Sequence, residues 1–148
     1  MGGVASKTAR AVAYMWKKNL GLDVEIMLYE WKDFLRELRE GKFEVFGPVG
    51  WLADFPHPEN FIGFLFHSRS EENHTNYENK KVDLLIEEAR RTGDPEIYSR
   101  AEKLIIEDMP IIPLFFPKSF YLVKPYIKYE PPPIIIPHLR YIRRGDES

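Results

Sequence analysis

The sequence predicts an α/β domain, a mainly parallel sheet flanked by helices. Three observations carry that expectation. Strand-like runs at 24–28 and 43–49 flank a helical stripe, with short joints between them. Such a strand–helix–strand unit makes its two strands parallel and its crossover right-handed. Two more helical stripes follow, with acid and proline or glycine at their ends. At 148 residues, with 44% hydrophobic and 30% charged, the chain has the size of one domain, spanning 1–148, and can bury a core.

Taken in order, Ala9, Val12, Ala13, Trp16 and Leu20 recur at helical spacing, with Lys17 and Lys18 on the other side. Gly21 stands where a helix stop belongs. Val24, Ile26 and Leu28 alternate with Glu25 and Tyr29 as in a strand. Trp31, Phe34, Leu35 and Leu38 then fall at i, i+3, i+4 and i+7, and Gly41 follows. The second strand-like run comes next, then a turn-rich loop from Gly50 to Phe61 and an apolar run from Phe61 to Phe66. A polar loop from Ser68 to Lys81 contains Tyr77. Val82, Leu85, Ile86 and Ala89 make a helical stripe ending near Gly93. Asp94-Pro95 is a capping acid followed by proline at the first helical position, and the helix it opens runs to about Asp108. Ile111–Phe116 and Phe120–Val123 read as short strands, with Pro113–Pro117 a buried strand bounded by prolines. The tail carries Pro131-Pro132-Pro133, an apolar patch at Ile134–Ile136, and Tyr141 and Ile142 before a charged end.

Several function classes lack their signatures. The net charge is -2 with acids and bases interspersed, so no basic stripe calls for nucleic acid. No apolar run has the length of a membrane-spanning helix. Without cysteine there is no disulfide, thiol catalysis or thiolate zinc site. His57, His67, His74 and His138 lack the helical spacing that puts two imidazoles on one face, so they read as scattered surface residues and no metal is expected. No glycine-rich phosphate loop is present. Lys80, Lys81, Arg90 and Arg91 read as a solvated helix face, and Trp16 and Trp31 as core. The first six residues lack the basic segment and apolar core of a secretory signal, so the chain reads as cytosolic, processed, or part of something longer.

The loop from Gly50 to Phe61 is the candidate site. It sets an indole, Trp51, and a carboxylate, Asp54, just past the carboxyl end of the second strand-like run. Ligands of parallel sheets gather there. The aromatic supplies contact area and the acid one directional ionic contact. Two readings stand: a ligand pocket, or a surface turn whose Asp54 caps the following helix. A hydrolase would need Asp54 and Glu59 paired by loop geometry that the sequence does not display.

The ordered set of motifs narrows this. Lys17-Lys18-Asn19-Leu20-Gly21-Leu22-Asp23-Val24 comes first, then Glu30-Trp31 with Phe34, and Phe43-Glu44-Val45. Gly50-Trp51-Leu52-Ala53-Asp54, Tyr77-Glu78-Asn79 and Val82-Asp83-Leu84-Leu85-Ile86 follow. Tyr98 with Ala101-Glu102, Ile111-Ile112-Pro113-Leu114, Leu122-Val123-Lys124-Pro125 and Tyr141-Ile142 complete it. From about Thr8 to Arg143 this order resembles the C-terminal part of family 5 extracellular solute-binding proteins, the oligopeptide and dipeptide receptors of ABC importers.

The resemblance implies one lobe of a type II periplasmic-binding-protein fold, incomplete relative to the two-lobed receptor, with 124–148 crossing toward the missing lobe. It implies capture of an oligopeptide on the periplasmic or extracellular side, for delivery to a membrane permease. It implies no catalysis and no cofactor, and an N-terminal remainder of the receptor as partner. Asp54 matches the acid that holds the ligand's α-ammonium, and Trp51 and Leu52 match positions near side-chain pockets. Some oligopeptide receptors carry, three residues before the loop Trp, an arginine that helps bind a peptide carboxylate. Pro48 stands there instead. The peptide's carboxyl end is then held otherwise, or the ligand is an oligosaccharide, on which Trp51 could stack.

Overall fold

The computed structural model describes residues 4–118, 120–129 and 142–145. The proline triplet at 131–133, the patch at 134–136, His138 and Tyr141 lie outside them. The chain divides into two compact units, residues 1–51 and 52–148.

The first unit holds two helices, α1 (Val4–Leu20) and α2 (Trp31–Arg39). Gly21, at φ +69°, takes the left-handed conformation that ends α1 without steric cost. α2 is braced by its own charges: Arg36 pairs with Asp33 at 2.9 Å, and Lys42 returns to Glu37 at 3.0 Å. The ring of Phe43 meets Tyr29 edge-on and Phe34 face-on, and Phe34 in turn stacks on Trp31. Leu38 is the one buried apolar side chain of this unit among the described residues.

Here the structure corrects two expectations. Trp31 is 64% exposed, because Phe34 covers only one face of its indole. The runs 24–28 and 43–49 are not helical, but they form no ladder with each other or with any other described segment. Alternation marks side chains suited to a pleated surface; a strand also needs a neighbour to take its N–H and C=O groups. Pro48, which has no N–H, further limits the second run.

The second unit contains the core. α3 (Ile62–Phe66), α4 (Lys80–Thr92) and α5 (Pro95–Asp108) bury Ile62, Phe66, Val82, Ile86, Ala89, Ile97, Tyr98, Ala101 and Ile105 in one cluster. α4 opens on Asn79, whose side chain accepts the N–H groups of Lys81 and Val82. It closes on Gly93 at φ +73°. Asp94 then caps α5 through the N–H of Glu96, with Pro95 in the first turn. A two-residue joint thus turns one helix back on the other, and the stripes read from the sequence are the faces that meet.

The polar loop between α3 and α4 is tied from within. Asn73, 8% exposed, donates to the carbonyl of Tyr77 at 2.8 Å and accepts the Tyr77 N–H and the Thr75 hydroxyl. Ser68 donates its N–H and its hydroxyl to the two oxygens of Asp83, at 2.9 and 2.7 Å.

After α5 the expected strands at 111–116 and 120–123 are not formed. Phe115 is 59% and Phe116 99% exposed, so Pro113–Pro117 is not a buried strand. The prolines remove donors, and no described segment pairs with the run. The sheet that the described residues do form is antiparallel, β1 (Ile127–Tyr129) against β2 (Ile142–Arg144), with Lys128 opposite Arg143.

Candidate functional site

Trp51 closes the first unit, half-buried, while Leu52 and Asp54 open the second, both exposed. The Asp54 carboxylate has no ion pair among the described residues. It does not cap the next helix either. The cap of the 3-10 turn Pro58–Asn60 is His57, whose Nδ1 accepts the N–H of Glu59 at 3.2 Å. The surface-cap reading of Asp54 therefore fails, and its carboxylate stays available.

The backbone beneath that carboxylate is fixed. Asp54 donates its N–H to Oδ1 of Asn60 at 2.9 Å, and Asn60 is fully buried. Phe55 leans edge-on against Phe64 of α3. His57 meets Tyr98 of α5 edge-on, with ring centroids 5.5 Å apart. Prolines at 56 and 58 hold φ between these anchors.

Glu59 ties the turn to both long helices. Its Oε2 accepts the Tyr98 hydroxyl at 2.6 Å, and its Oε1 accepts from Nε of Arg90 at 2.9 Å, with a second Arg90 nitrogen close by. Burial, then the bond to Glu59, pushes the Tyr98 phenol well above its ordinary value, so it stays a donor. Gly63 makes room for this pair: a Cβ there would clash with the carboxylate of Glu59. The Arg90 side chain is 44% exposed, as expected for a solvated helix face, and also closes this ion pair. Glu59 is committed to Arg90 and Tyr98 rather than paired with Asp54 as a second catalytic acid.

His67 is misread as a surface residue. It is 3% exposed, accepts the Arg69 N–H at Nδ1, and turns Nε2 toward Glu87 at 3.5 Å. Among the described residues, no three metal-ligating side chains gather. Shallow, open depressions lie on α2, around Arg36 and Arg39, and on α4 and α5, around Leu84 and Leu104; Asp54 lines neither. Nothing in the sequence announces the Glu59–Arg90–Tyr98 contact, which spans 31 and 39 residues. The closest signal is Gly63, a glycine inside an otherwise large-residue apolar run.

Comparison with known proteins places the chain in a family. No protein-family model matches the chain. The periplasmic oligopeptide-binding protein OppA of Salmonella typhimurium is 36% identical over 125 residues, covering 82% of this chain and 23% of that protein. The unliganded open form of the murein tripeptide-binding protein MppA superposes with TM-score 0.72 at 33% identity, over 83% of this chain and 24% of that structure. Haemophilus influenzae OppA, solved with the peptide RPPGFSPFR, gives TM-score 0.70 at 32% identity, over 83% and 25%. The fold is that of a periplasmic solute-binding protein, of which the chain spans about a quarter of the relatives' length. The chain belongs to family 5 of the extracellular solute-binding proteins, matching a C-terminal stretch of their oligopeptide-binding members.

Proposed function

We propose that the chain contributes to capture of oligopeptides for an ABC importer, with Asp54 holding the peptide's α-ammonium. One observation carries this: an exposed carboxylate without an ion pair among the described residues, on a turn whose backbone is anchored on buried Asn60. An ammonium withdrawn from water needs an opposite charge, or its desolvation goes uncompensated. Leu52, 54% exposed, and Trp51 supply apolar contact to ligand side chains. The relatives favour peptide over the oligosaccharide and hydrolase readings, and the role is binding without catalysis. A membrane permease and the remainder of a two-lobed receptor are its partners, on the periplasmic side.

Titrating trialanine and its N-acetylated form into the labelled chain tests the proposal by NMR. Binding is weak, because only part of the cleft is present. The free amine binds better than the acetylated peptide, and Asp54→Asn removes that preference. In a full-length receptor the same substitution costs about 2–5 kcal/mol of affinity. Equal affinity of wild type and variant for the free-amine peptide refutes Asp54 as the anchor.

A further inference from the structure

We infer that Asn60 and Glu59 are positioning residues for ligand binding, holding the Asp54 carboxylate where an ammonium can meet it. This rests on the proposed role of Asp54. Neither side chain offers itself to a ligand. Asn60 is fully buried and spends Oδ1 on the Asp54 N–H, while the Glu59 side chain is 16% exposed and grips Arg90 and Tyr98.

The geometry gives the two residues separate jobs. Asn60 sets the start of the turn, since its amide fixes the direction of the peptide that carries Asp54. Glu59 sets the end, binding the neighbouring position to α4 through Arg90 and to α5 through Tyr98. Those helices carry the core cluster, so the turn inherits the rigidity of the best-packed part of the unit. Gly63 leaves the volume that the Glu59 carboxylate fills. A charge held this way meets its ligand already oriented, and less is lost on ordering it. The turn could have been stabilised by apolar packing alone. Instead it uses one buried amide, one ion pair to α4 and one hydrogen bond from α5, which fixes direction as well as depth.

The test measures, for the whole chain, the ratio of NMR dissociation constants for N-acetyl-trialanine and trialanine. Asp54→Asn is the reference arm, and thermal scans accompany each variant. Asn60→Ala is expected to lower the free-amine preference roughly tenfold, or to unity if the wild-type preference is smaller. It should also speed hydrogen exchange at the Asp54 amide. Gly63→Ala, which leaves Asn60 and Asp54 untouched but displaces Glu59, is expected to shift the ratio in the same direction. A merely structural role would lower the melting temperature and leave the ratio alone. If Asp54→Asn abolishes the preference while folded Asn60→Ala and Gly63→Ala retain it, the positioning inference is overturned and the anchor reading stands. If Asn60→Ala fails to fold, Gly63→Ala decides by the same ratio. If Asp54→Asn changes nothing, the anchor reading falls and takes this inference with it.

Discussion

The two units use similar helices to different ends. In residues 1–51, α1 and α2 form where periodicity places them, yet Leu38 is the one buried apolar side chain among the described residues. In residues 52–148, α3, α4 and α5 close nine side chains into a core. Both units have runs that find no ladder among the described residues, 22–30 in the first and 111–123 in the second. Around its core, however, the second adds caps, a short joint and polar braces that satisfy the backbone there. Helical pattern determines where a helix forms. Order of the kind that can aim a charge needs partners for both the apolar face and the backbone.

The strongest way to break this contrast is to hollow out the second unit. Ile86 is fully buried between α3, α4 and α5. Ile86→Ala should cost about 2–5 kcal/mol in a urea titration followed by circular dichroism. A cost within the range of a surface substitution, about 0.5 kcal/mol, would show that the cluster is not a true core. A smaller effect is expected at the joint. Asp94→Ala removes the acceptor of the Glu96 N–H and should cost about 1 kcal/mol in the same titration. No change would mean that α5 starts without its cap.

The smallest effect is a dependence on pH at one brace. Tyr77 donates its hydroxyl to Asp108, and Asn79 donates to the same oxygen at 2.6 Å. Burial first, then Asp108, pushes the Tyr77 phenol up to about 12 from its ordinary 10.0. The folded state thus favours the neutral phenol. That contribution is full below pH 10 and fades as pH rises toward 12. Asp108 runs the other way: the bonds from Tyr77 and Asn79 hold its carboxyl below 3.8, so its part is full above that value and is lost in acid. Tyr77→Phe should flatten the alkaline loss in thermal scans taken across pH 9–12, a window set by the shifted phenol. An unchanged slope would remove Tyr77 from the cause.

Much of the second unit was legible in the sequence because its signals are local. Asp94-Pro95, Gly93 and the stripe from Val82 to Ala89 each state their role within a few residues. The parallel strands and the buried strand at Pro113–Pro117 were not, because pairing depends on a distant neighbour that alternation cannot name. The sequence marks Asp54 as a carboxylate beside an aromatic in a turn-rich loop, but it does not mark the residues that hold that turn. Asn60, Glu59, Arg90 and Tyr98 look like ordinary polar residues until the fold brings positions 59 and 98 together. Arg90 is solvent-exposed as its place on a polar helix face predicts, but its ion pair with Glu59 depends on a residue 31 positions away.

Native-state hydrogen exchange, read by NMR at each amide, tests the central claim that a rigid unit presents Asp54. Amides of α4 and α5 and the Asp54 N–H should exchange far more slowly than those at 22–30 and 111–123, which lack ladder partners among the described residues. An Asp54 amide exchanging as fast as those unpaired runs would contradict it.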